Sequence, residues 1–511
     1  MRPLTDLIPA LVWLLLASPA AAILAEVPIL RATLSGSHLR ESTVHFEVLI
    51  KGTKVGWIRQ SLASGKFEGE DVIAFEVEFL QKLLNNGEAI TIKSLDVQYF
   101  AAEPPHRFMA ANSQSRQNGF ESETRIRRSR QGGQEFTAQL KSGKVERENP
   151  MGELDYCLGD ALAGLVWCEG EPEVGSAVRL RELDLTDLEV RATLHTVQRL
   201  LPPDGDGSVQ RCGLIGKYEI DYFDEVGKTR AQFVLDAHGQ LLTGKIGGSV
   251  DLRLTHADAA RKLEAKLDLF ESSLIRIGQR LGDPSEIRAM ELEITGDSID
   301  LITDSPDQDA EYDADSGRLL LKVGTEHGKR IPVTPEERAK SLEETSAYPT
   351  SDPQIIALVK RAIGSATRPK ARIKRLVEFV DQFIIDDMGN EPLTVNDIID
   401  TQRGDCTEHS QLFVTMARAA GIPAREVSGF IYGEAVDASF GGHAWCEVEV
   451  DGHWHSVDPS WGETMINATH IRISSDRPST GEMDLYMGGL EFRILSIRGR
   501  NGEVRQLEPR R

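Results

Sequence analysis

Residues 403–409 read RGDCTEH, and residues 442–459 read GHAWCEVEVDGHWHSVDP. In the first segment Asp405 directly precedes Cys406, and Glu408 follows Asp405 by three residues, which is the pattern of a capping box at a helix start. The second segment has two runs of strand-forming residues on either side of an Asp-Gly pair, which is typical of a β-hairpin. The two segments therefore predict a helix and a hairpin that carry a cysteine, a histidine and an aspartate.

Cys406 is predicted to occupy the first position of a helix that ends near Gly421 and Pro423. The start of a helix carries about half a positive charge and free N–H groups, and both stabilise the reactive thiolate form of a cysteine. The same N–H groups can hold the oxyanion of a tetrahedral intermediate. The alternative is an inert buried thiol, and the position of Cys406 alone does not decide in favour of a nucleophile.

The hairpin is expected to bring His443 and Asp458 together. A two-residue turn at Asp451-Gly452 pairs Val450 with His453 and sets the register of both strands. Counting by twos then places His443 and Asp458 on one face as diagonal neighbours, about 7–8 Å apart at the backbone. Their side chains can close that gap with a hydrogen bond, which supplies the base and orienting acceptor that nucleophilic catalysis requires.

Other cysteine and histidine residues in these two segments could bind a metal, but each has a simpler interpretation. Cys446, His453 and His455 are an alternative zinc site, but all three are expected to face away from His443, and Cys446 is interpreted as a core thiol. His409 is expected to make a structural hydrogen bond. The sequence therefore predicts no metal and no cofactor.

The segments around Cys406, His443 and Asp458 resemble the transglutaminase-like superfamily, whose papain-like fold places Cys, His and Asp in this chain order. The resemblance covers roughly residues 345–475. It implies that Cys406 attacks an amide carbonyl, that His443 transfers protons and that Asp458 orients the imidazole. The matching blocks are residues 403–409, 417–425, 442–445, 447–448 and 454–459.

The resemblance implies an acyl-thioester that is resolved by water or by an amine, so peptidase, amidase and transglutaminase activities all stay open. Gln402 is a tentative oxyanion donor because it lies close to Cys406 in the sequence, and its alternative is a surface residue that ends a short helix. The expected substrate is an amide of a protein or peptide.

The N-terminus is typical of an export signal. Arg2 supplies a positive charge, residues 7–16 are apolar, and residues 20–22 form a small-residue cleavage site. The chain is therefore expected to be periplasmic or otherwise extracytoplasmic, with an uncleaved membrane tether at residues 1–25 as the alternative. A formal charge of -22 argues against a nucleic-acid partner.

The chain is expected to be an α+β protein of several parts. Residues 26–255 look like an antiparallel β-rich domain, which can curve into a half-barrel. Residues 256–340 are interpreted as a connector helix over 256–281 followed by a small β region. Residues 345–475 form the catalytic domain, and residues 476–511 form a C-terminal extension.

Individual elements follow from local patterns. Strands are predicted at residues 45–50, 72–80, 190–197, 218–223, 290–294, 298–302 and 319–323. The aspartates at positions 304, 307, 309, 313 and 315 are interpreted as a solvated acidic loop, with a calcium site as the alternative. Three further helices are predicted, one capped by Asp352 with Ile356, Val359 and Ile363 on its buried face, one from Pro369 and one over 395–401.

Five cysteines are compatible with disulfide pairing among Cys157, Cys168 and Cys212 in an oxidising compartment, but the pairing cannot be assigned from the sequence. Two functions are consistent with all these features. One is an exported cysteine enzyme that acts on amides. The other is a non-catalytic binding or scaffold protein that uses a transglutaminase-like domain for recognition.

Overall fold

A computed structural model describes most of the chain. The segment predicted as a signal or anchor, residues 1–25, lies outside the described residues, as does part of the C-terminal extension. The described stretches are 27–85, 87–118, 120–129, 135–142, 145–185, 188–223, 229–246, 250–263, 267–296, 299–324, 326–345, 347–387, 393–434, 438–473 and 489–507.

The chain forms two compact units, Arg2–Leu269 and Phe270–Arg511. Strands account for 50% of the residues and helices for 18%, with the helices concentrated in the second unit. The predicted α+β class is therefore confirmed.

The first unit is built on a large antiparallel sheet. The four strands predicted for this unit are confirmed, at β1, β3, β10 and β12. Short helices α1 (Leu158–Ala161) and α2 (Ala163–Glu169) precede β9. The strands are β1 Ser42–Ile50, β2 Thr53–Phe67, β3 Glu70–Asn85, β4 Glu88–Ala101, β5 Phe108–Gln117, β6 Phe120–Arg128, β7 Glu135–Ser142, β8 Val145–Glu153, β9 Ala177–Asp184, β10 Glu189–Leu200, β11 Gln210–Arg211, β12 Leu214–Phe223, β13 Thr229–Asp236, β14 Leu241–Ile246 and β15 Val250–Thr255.

This sheet is strongly curved. Its strand order runs from β8 through β1 and β15 to β9, so β7 and β9 lie near opposite ends. A flat sheet with strands about 4.8 Å apart would separate them by roughly 55 Å. Instead Leu183 of β9 shares one hydrophobic cluster with Ile126 of β6 and Phe136 of β7. The two ends of the sheet therefore contribute to one core, as the predicted curved half-barrel requires.

The predicted connector helix over residues 256–281 is wrong. The described residues form two short helices, α3 (Ala257–Ala260) and α4 (Leu269–Ser273), and strand β16 (Ile275–Arg276). The segment instead pairs with neighbouring strands: Leu84 donates a backbone hydrogen bond to Leu267 at 2.8 Å, and Ile275 pairs with Phe440. These pairings use backbone groups that a continuous helix would need, so tertiary pairing overrides the helical spacing of the leucines.

The second unit has three small sheets and the remaining helices. One sheet has the order β16-β23-β22-β25 with β24 beside β23, another has the order β18-β19-β17-β26-β27, and β20 pairs with β21. Its strands after β16 are β17 Ile287–Gly296, β18 Gln308–Asp313, β19 Arg318–Val323, β20 Ile385–Asp386, β21 Arg403–Gly404, β22 Ala424–Gly433, β23 Ser439–Val450, β24 His453–Val457, β25 Ile471–Arg472, β26 Leu490–Gly499 and β27 Val504–Gln506. The helices are α5 Pro335–Lys340, α6 Pro353–Ile363, α7 Pro369–Phe383, α8 Val395–Thr401 and α9 Cys406–Ala419, with 3₁₀ turns at Pro284–Glu286 and Ile299–Leu301.

Two predictions in the region before residue 340 are wrong. The strand expected at 298–302 is a 3₁₀ turn in its described part, and the expected acidic loop contains strand β18. Lys329 explains how the acidic residues tolerate strand pairing, because its Nζ lies 2.7 Å from Asp304 and 2.8 Å from Asp309. The strands predicted at 290–294 and 319–323 are confirmed as parts of β17 and β19.

The four helices predicted between residues 345 and 421 are confirmed, and their caps agree with the sequence pattern. One detail differs in α6, where Ile355 is buried and the predicted Ile356 is 39% exposed. The i, i+4, i+8 series that starts at Ile355 therefore faces the core, together with Val359 and Ile363.

The small β region and the C-terminal extension pack with the hairpin sheet. Strand β26 pairs with β17, and Phe492 on β26 contacts the rings of Phe430 and Phe440 at 5.3 and 5.2 Å. These aromatic residues belong to one hydrophobic cluster. The sheet that carries the hairpin is therefore supported by chain segments from both sides of the transglutaminase-like region.

Candidate active site

Cys406 begins helix α9, as the sequence predicts. The Asp405 side chain accepts from the Thr407 backbone N–H at 2.7 Å, and the Glu408 carboxylate accepts from the Asp405 backbone N–H at 2.8 Å. This capping box fixes the first turn, on which the thiol is half-buried. Gly404 leaves room for the Glu408 side chain, because a Cβ at position 404 would lie 2.3 Å from the Cβ of Glu408.

The hairpin has the predicted register. Val450 pairs with His453, and the ladder continues to Cys446 opposite Val457. His443 and Asp458 lie at the same end of the hairpin, and Nε2 of His443 donates to Oδ2 of Asp458 at 2.8 Å. The predicted hydrogen bond is therefore present.

The same imidazole reaches the cysteine. Cys406 is near enough to His443 to act on it, because its side chain is among the groups that raise the pKa of the imidazole. Since Nε2 is directed to Asp458, Nδ1 is the nitrogen available to the thiol. A helix start, a strand and the end of a hairpin thus bring a thiol, an imidazole and a carboxylate into one site.

Asp458 is fully buried and held by several donors. His470 approaches the same oxygen as His443, with its Nε2 at 3.3 Å from Oδ2. The Ser460 backbone N–H donates to the other oxygen, Oδ1, at 2.8 Å. Asp458 and Glu463 also exchange two backbone hydrogen bonds of 2.8 Å, which close the loop that follows the hairpin. A buried carboxylate with this many donors is well satisfied in its ionised form.

Opposing charges set the protonation of the buried pair. Burial would lower the pKa of His443, but the charge and hydrogen bond of Asp458, and then the side chain of Cys406, raise the pKa well above its usual range. Burial would raise the pKa of Asp458, but the charge and hydrogen bond of His443 and the hydrogen bond from His470 hold it far below its usual range. The geometry therefore favours an imidazolium beside an ionised carboxylate.

Aromatic side chains enclose the imidazole. Trp461 stacks on the ring of His443 with centroids 5.4 Å apart, and Trp445 lies on the ring at 6.0 Å. Trp445 is fully buried, whereas Trp461 is 46% exposed. One indole thus shields the His443–Asp458 pair from the core side, and the other presents an open face to solvent next to the reactive groups.

Trp445 in turn depends on a glycine. Gly429 on β22 pairs with His443, and a Cβ at Gly429 would lie 2.6 Å from Cη2 of Trp445 and 2.0 Å from the Ile471 carbonyl oxygen. A side chain at this position would separate β22 from β25 and displace the indole.

Several sequence-predicted residues lie outside this site. Gln402 ends α8 in a left-handed conformation with φ of 54°, and its side chain is exposed. Cys446 is fully buried and its Sγ faces the Ser410 carbonyl at 3.7 Å, as expected for a core thiol. His409 makes the expected structural hydrogen bond, from Nδ1 to the Asp405 carbonyl at 2.7 Å.

Cysteine pairing and the zinc alternative are not supported by the described residues. All five cysteines are free thiols, including Cys157, Cys168 and Cys212. Among the described stretches, the group of side chains with atoms close enough to share an ion is His443, Asp458 and His470, within 4.8 Å of one another, rather than Cys446 with its neighbouring histidines. Their nitrogens and oxygens are already engaged in the hydrogen bonds given above.

Sequence reasoning missed His470 and Trp461. His470 lies twelve residues beyond Asp458, in a segment that resembles ordinary core sequence, so no spacing marks it. Trp461 follows Asp458-Pro459 closely, and an aromatic residue beside Gly462 in a loop is a weak sign of a functional surface.

A cavity of about 620 Å³ lies in the first unit on strands β4 to β7. Two of the charged residues that line it are in ion pairs, Lys93 with Glu78 and Arg116 with Glu121.

The part of the chain that carries this site is similar to known proteins. Residues 356–459 match the family model of the transglutaminase-like superfamily and form a transglutaminase-like domain. At the level of the superfamily, such domains are generally cysteine hydrolases or acyltransferases.

The chain spans about an eighth of the length of the curated relatives that it matches. Mouse kyphoscoliosis peptidase is 37% identical over 83 residues, which are 15% of this chain and 13% of that protein. The human protein is 37% identical over 76 residues, 14% of this chain and 12% of its own length. The solved structure of a provisionally named cysteine protease from Cytophaga hutchinsonii is 12% identical, with a TM-score of 0.27, over 44% of this chain and 88% of its own.

No helix in the described stretches is both long and apolar enough to cross a bilayer.

Proposed function

We propose that residues 345–475 are the catalytic domain of an exported cysteine enzyme that acts on amide bonds of a protein or peptide. The observation that carries this proposal is the 2.8 Å hydrogen bond from Nε2 of His443 to the buried Asp458, with Cys406 at a capped helix start on the other side of the imidazole. A thiol at a capped helix start, a base directed at it and an acceptor behind the base are the parts that acyl transfer through a thioester requires.

The first half of the reaction uses the imidazolium–thiolate pair. Cys406 Sγ attacks the amide carbonyl carbon, and the backbone N–H groups at the start of α9 are positioned to stabilise the oxyanion. The C–N bond then breaks, and His443 gives its Nδ1 proton to the departing amine. An acyl-thioester remains on Cys406, and the imidazole is neutral.

The second half of the reaction regenerates the thiol. Neutral His443 accepts a proton at Nδ1 from an incoming nucleophile, which attacks the thioester carbonyl. Water gives a carboxylic acid, and an amine gives a new amide. In either case the C–S bond breaks and the proton returns to the sulfur–imidazole pair, while Nε2 continues to donate to Asp458.

Gln402 is proposed as a second oxyanion donor only in a substrate-bound arrangement. Its side chain is exposed at the end of α8, and its carbonyl accepts from Ile385 at 2.8 Å, which ties the backbone before Cys406 to strand β20. A Gln402→Ala variant with unchanged turnover would remove it from the mechanism.

Export supports a substrate outside the cytoplasm. We propose that residues 1–25 direct the chain across a membrane, and that the mature enzyme is periplasmic or otherwise extracytoplasmic, or stays tethered by that segment. The apolar run at residues 7–16 and the small residues at 20–22 support this proposal.

Mass spectrometry of a peptide mixture incubated with the purified chain tests the proposal. Wild type is expected to give one of three product types: a cleaved peptide, an amide converted to an acid, or an amine adduct. Cys406→Ala should give none of them, and Cys446→Ala should retain them because that thiol is buried away from His443. Equal product patterns for wild type and Cys406→Ala would contradict the enzymatic proposal and favour the binding or scaffold function instead.

A further inference from the structure

His470 is a buried histidine that the acyl-transfer steps do not use. It lies just before strand β25 and is 1% exposed. Its Nε2 is 3.3 Å from Oδ2 of Asp458, the oxygen that also accepts from His443 at 2.8 Å. Two imidazoles from different segments thus converge on one carboxylate oxygen.

The loop that follows the hairpin fixes the position of His470. Its Nδ1 and its backbone N–H both approach the Asn467 carbonyl, at 3.2 and 3.4 Å. The Asn467 side chain is itself held, because its Nδ2 donates to Glu463 at 3.1 Å. Glu463 is joined to the backbone of Asp458 by two hydrogen bonds. The segment from Asp458 to His470 is therefore a loop that is closed by hydrogen bonds between its own residues.

Contacts with two aromatic rings fix the orientation of the His470 imidazole. The ring stands edge-on to Trp445 with centroids 5.2 Å apart, and to Trp461 at 5.9 Å. The same two indoles stack on His443. The packing that orients the first imidazole therefore also orients the second.

We infer that His470 is a positioning residue of the proposed cysteine enzyme, which holds Asp458 ionised and directed at His443 by donating a second hydrogen bond to its Oδ2. This inference rests on the proposed function. Nε2 of His470 faces the carboxylate of Asp458, which can only accept when ionised, so an N–H on Nε2 donates to it.

The second donor matters most when His443 is neutral. In the acyl-thioester state His443 has given up its Nδ1 proton, so Asp458 loses the positive charge that faced it. A buried carboxylate without a charge partner or sufficient donors becomes unfavourable. His470 supplies a donor that does not take part in proton transfer. It therefore keeps Asp458 available as the hydrogen-bond acceptor for His443 through both halves of the reaction.

The charges around Asp458 give the direction in which its pKa would change if His470 were replaced. The hydrogen bond and charge of His470 are among the influences that hold the pKa of Asp458 low, after those of His443. Other titratable groups that interact with His443, Asp458 or His470 belong to different segments and are unchanged by substitution at 470. These groups are Cys406 on α9, Asp381 on α7, Cys446 on β23 and Asp307 before β18.

The test follows the rate of iodoacetamide alkylation of Cys406 against pH in the full chain. His470→Phe keeps an aromatic ring but cannot donate, and His470→Gln keeps a donor. In His470→Phe, Asp458 loses a donor and becomes a weaker partner for the His443 imidazolium, so the acid limb of the alkylation profile should move up by at least about one pH unit, a roughly tenfold lower rate on that limb. His470→Gln should restore most of the wild-type profile.

Ile466→Ala is the matched control for stability. Ile466 is a buried neighbour of Trp445 and its side chain makes no hydrogen bond, so the variant should unfold more easily without moving the acid limb. An acid limb in His470→Phe that overlays wild type would overturn the inference and leave His470 a packing residue. A profile for His470→Gln that matches His470→Phe would overturn it as well.

A second measurement separates this inference from the proposed function. In a Cys406→Ala background, the imidazole N–H proton between His443 and Asp458 is followed by NMR. It should remain visible in His470→Gln and be broadened or lost in His470→Phe. If wild-type Cys406 proves unreactive, the proposed function fails, but this N–H signal still decides the role of His470: full intensity in His470→Phe would contradict it.

Discussion

Nε2 of His443 donates to Oδ2 of Asp458 at 2.8 Å, although the two residues are 15 positions apart in the chain. The Asp451-Gly452 turn sets this contact, because it fixes the pairing of Val450 with His453 and hence of every residue further along both strands. A one-residue slip would turn His443 to the opposite face. The contact between His443 and Asp458 in the proposed catalytic site is therefore a consequence of hairpin register.

The first prediction concerns the charge of Asp458. In Asp458→Asn the imidazolium loses its charge partner, so the pKa of His443 should fall. The variant should also be less stable, by about 3 kcal/mol near pH 5.5. Chemical denaturation at several pH values measures the free energy of unfolding.

The pH dependence of this loss has a definite sign. The pKa of His443 is raised by folding, so its stabilising contribution is complete below its unfolded value of about 6.5 and is lost as pH rises through the raised value. The pKa of Asp458 is lowered, so its contribution is present above about pH 4 and is lost as pH falls. The deficit of Asp458→Asn should thus be largest between about pH 4 and 6.5 and smaller at pH 9. A deficit that grows from pH 5.5 to pH 9 would refute this charge assignment.

Much of the site could be predicted from the sequence because local chemistry determines it. Asp405 and Glu408 cap α9 through side chains within one turn of each other, and the hairpin register follows from its turn. His470 could not be predicted in the same way. It reaches Asp458 only because the loop from Glu463 to Asn467 folds back, through hydrogen bonds that no periodic pattern encodes.

In the fold, too, some elements are determined by their own residues and others by contacts with distant segments. Alternating strands and capped helices were predicted where their own side chains decide the structure. The helix expected over 256–281 was wrong because Leu267 and Ile275 pair with distant strands. Likewise β18 crosses the acidic segment because Lys329, far from it in sequence, neutralises Asp304 and Asp309.

A second prediction tests the close approach at Gly429. Gly429→Ala places a Cβ 2.0 Å from the Ile471 carbonyl oxygen and 2.6 Å from Trp445, so the strands must separate and the indole must move. We expect a loss of about 1–3 kcal/mol in the free energy of unfolding, together with slower alkylation of Cys406.

Gly441→Ala on the neighbouring strand is its control. The nearest atom to a Cβ there is Cδ2 of Leu274 at 3.3 Å, at the end of a flexible side chain. This variant should be close to wild type in both measurements. Equal losses in the two variants would mean that strand glycines in general, rather than the approach to Trp445, account for the effect.

A third prediction concerns the cap of α9. Asp405→Ala removes the acceptor for the Thr407 N–H and should cost about 1 kcal/mol of unfolding free energy. Asp405→Asn keeps an acceptor oxygen and should retain most of that stability. Urea denaturation at pH 7 compares the two, and indistinguishable midpoints for Ala and Asn would show that the cap does not hold the first turn.

A fourth prediction concerns the buried carboxylate of Glu447. Its oxygens lie 2.7 Å from Arg425 and 2.8 Å from Arg472, and the side chain is fully buried on β23. Glu447→Gln removes a buried negative charge that faces two guanidinium groups and should cost about 3–5 kcal/mol.

Glu378→Gln is the comparison for a surface ion pair. Glu378 pairs with Lys374 at 3.5 Å on the exposed face of α7, and its loss should change stability by less than about 0.5 kcal/mol. Thermal denaturation of the two variants distinguishes the buried network from the exposed pair. Similar shifts in both variants would contradict a structural role for the Glu447 network.

The central claim is that His443 activates Cys406 as a nucleophile, and it is tested most directly by the rate of alkylation of individual thiols with iodoacetamide, resolved by peptide mass spectrometry. In wild type at pH 7, Cys406 should be labelled much faster than the buried Cys446, and the rate at Cys406 should fall at least about tenfold in His443→Ala. Equal labelling of both cysteines, or an unchanged rate at Cys406 in His443→Ala, would contradict the account.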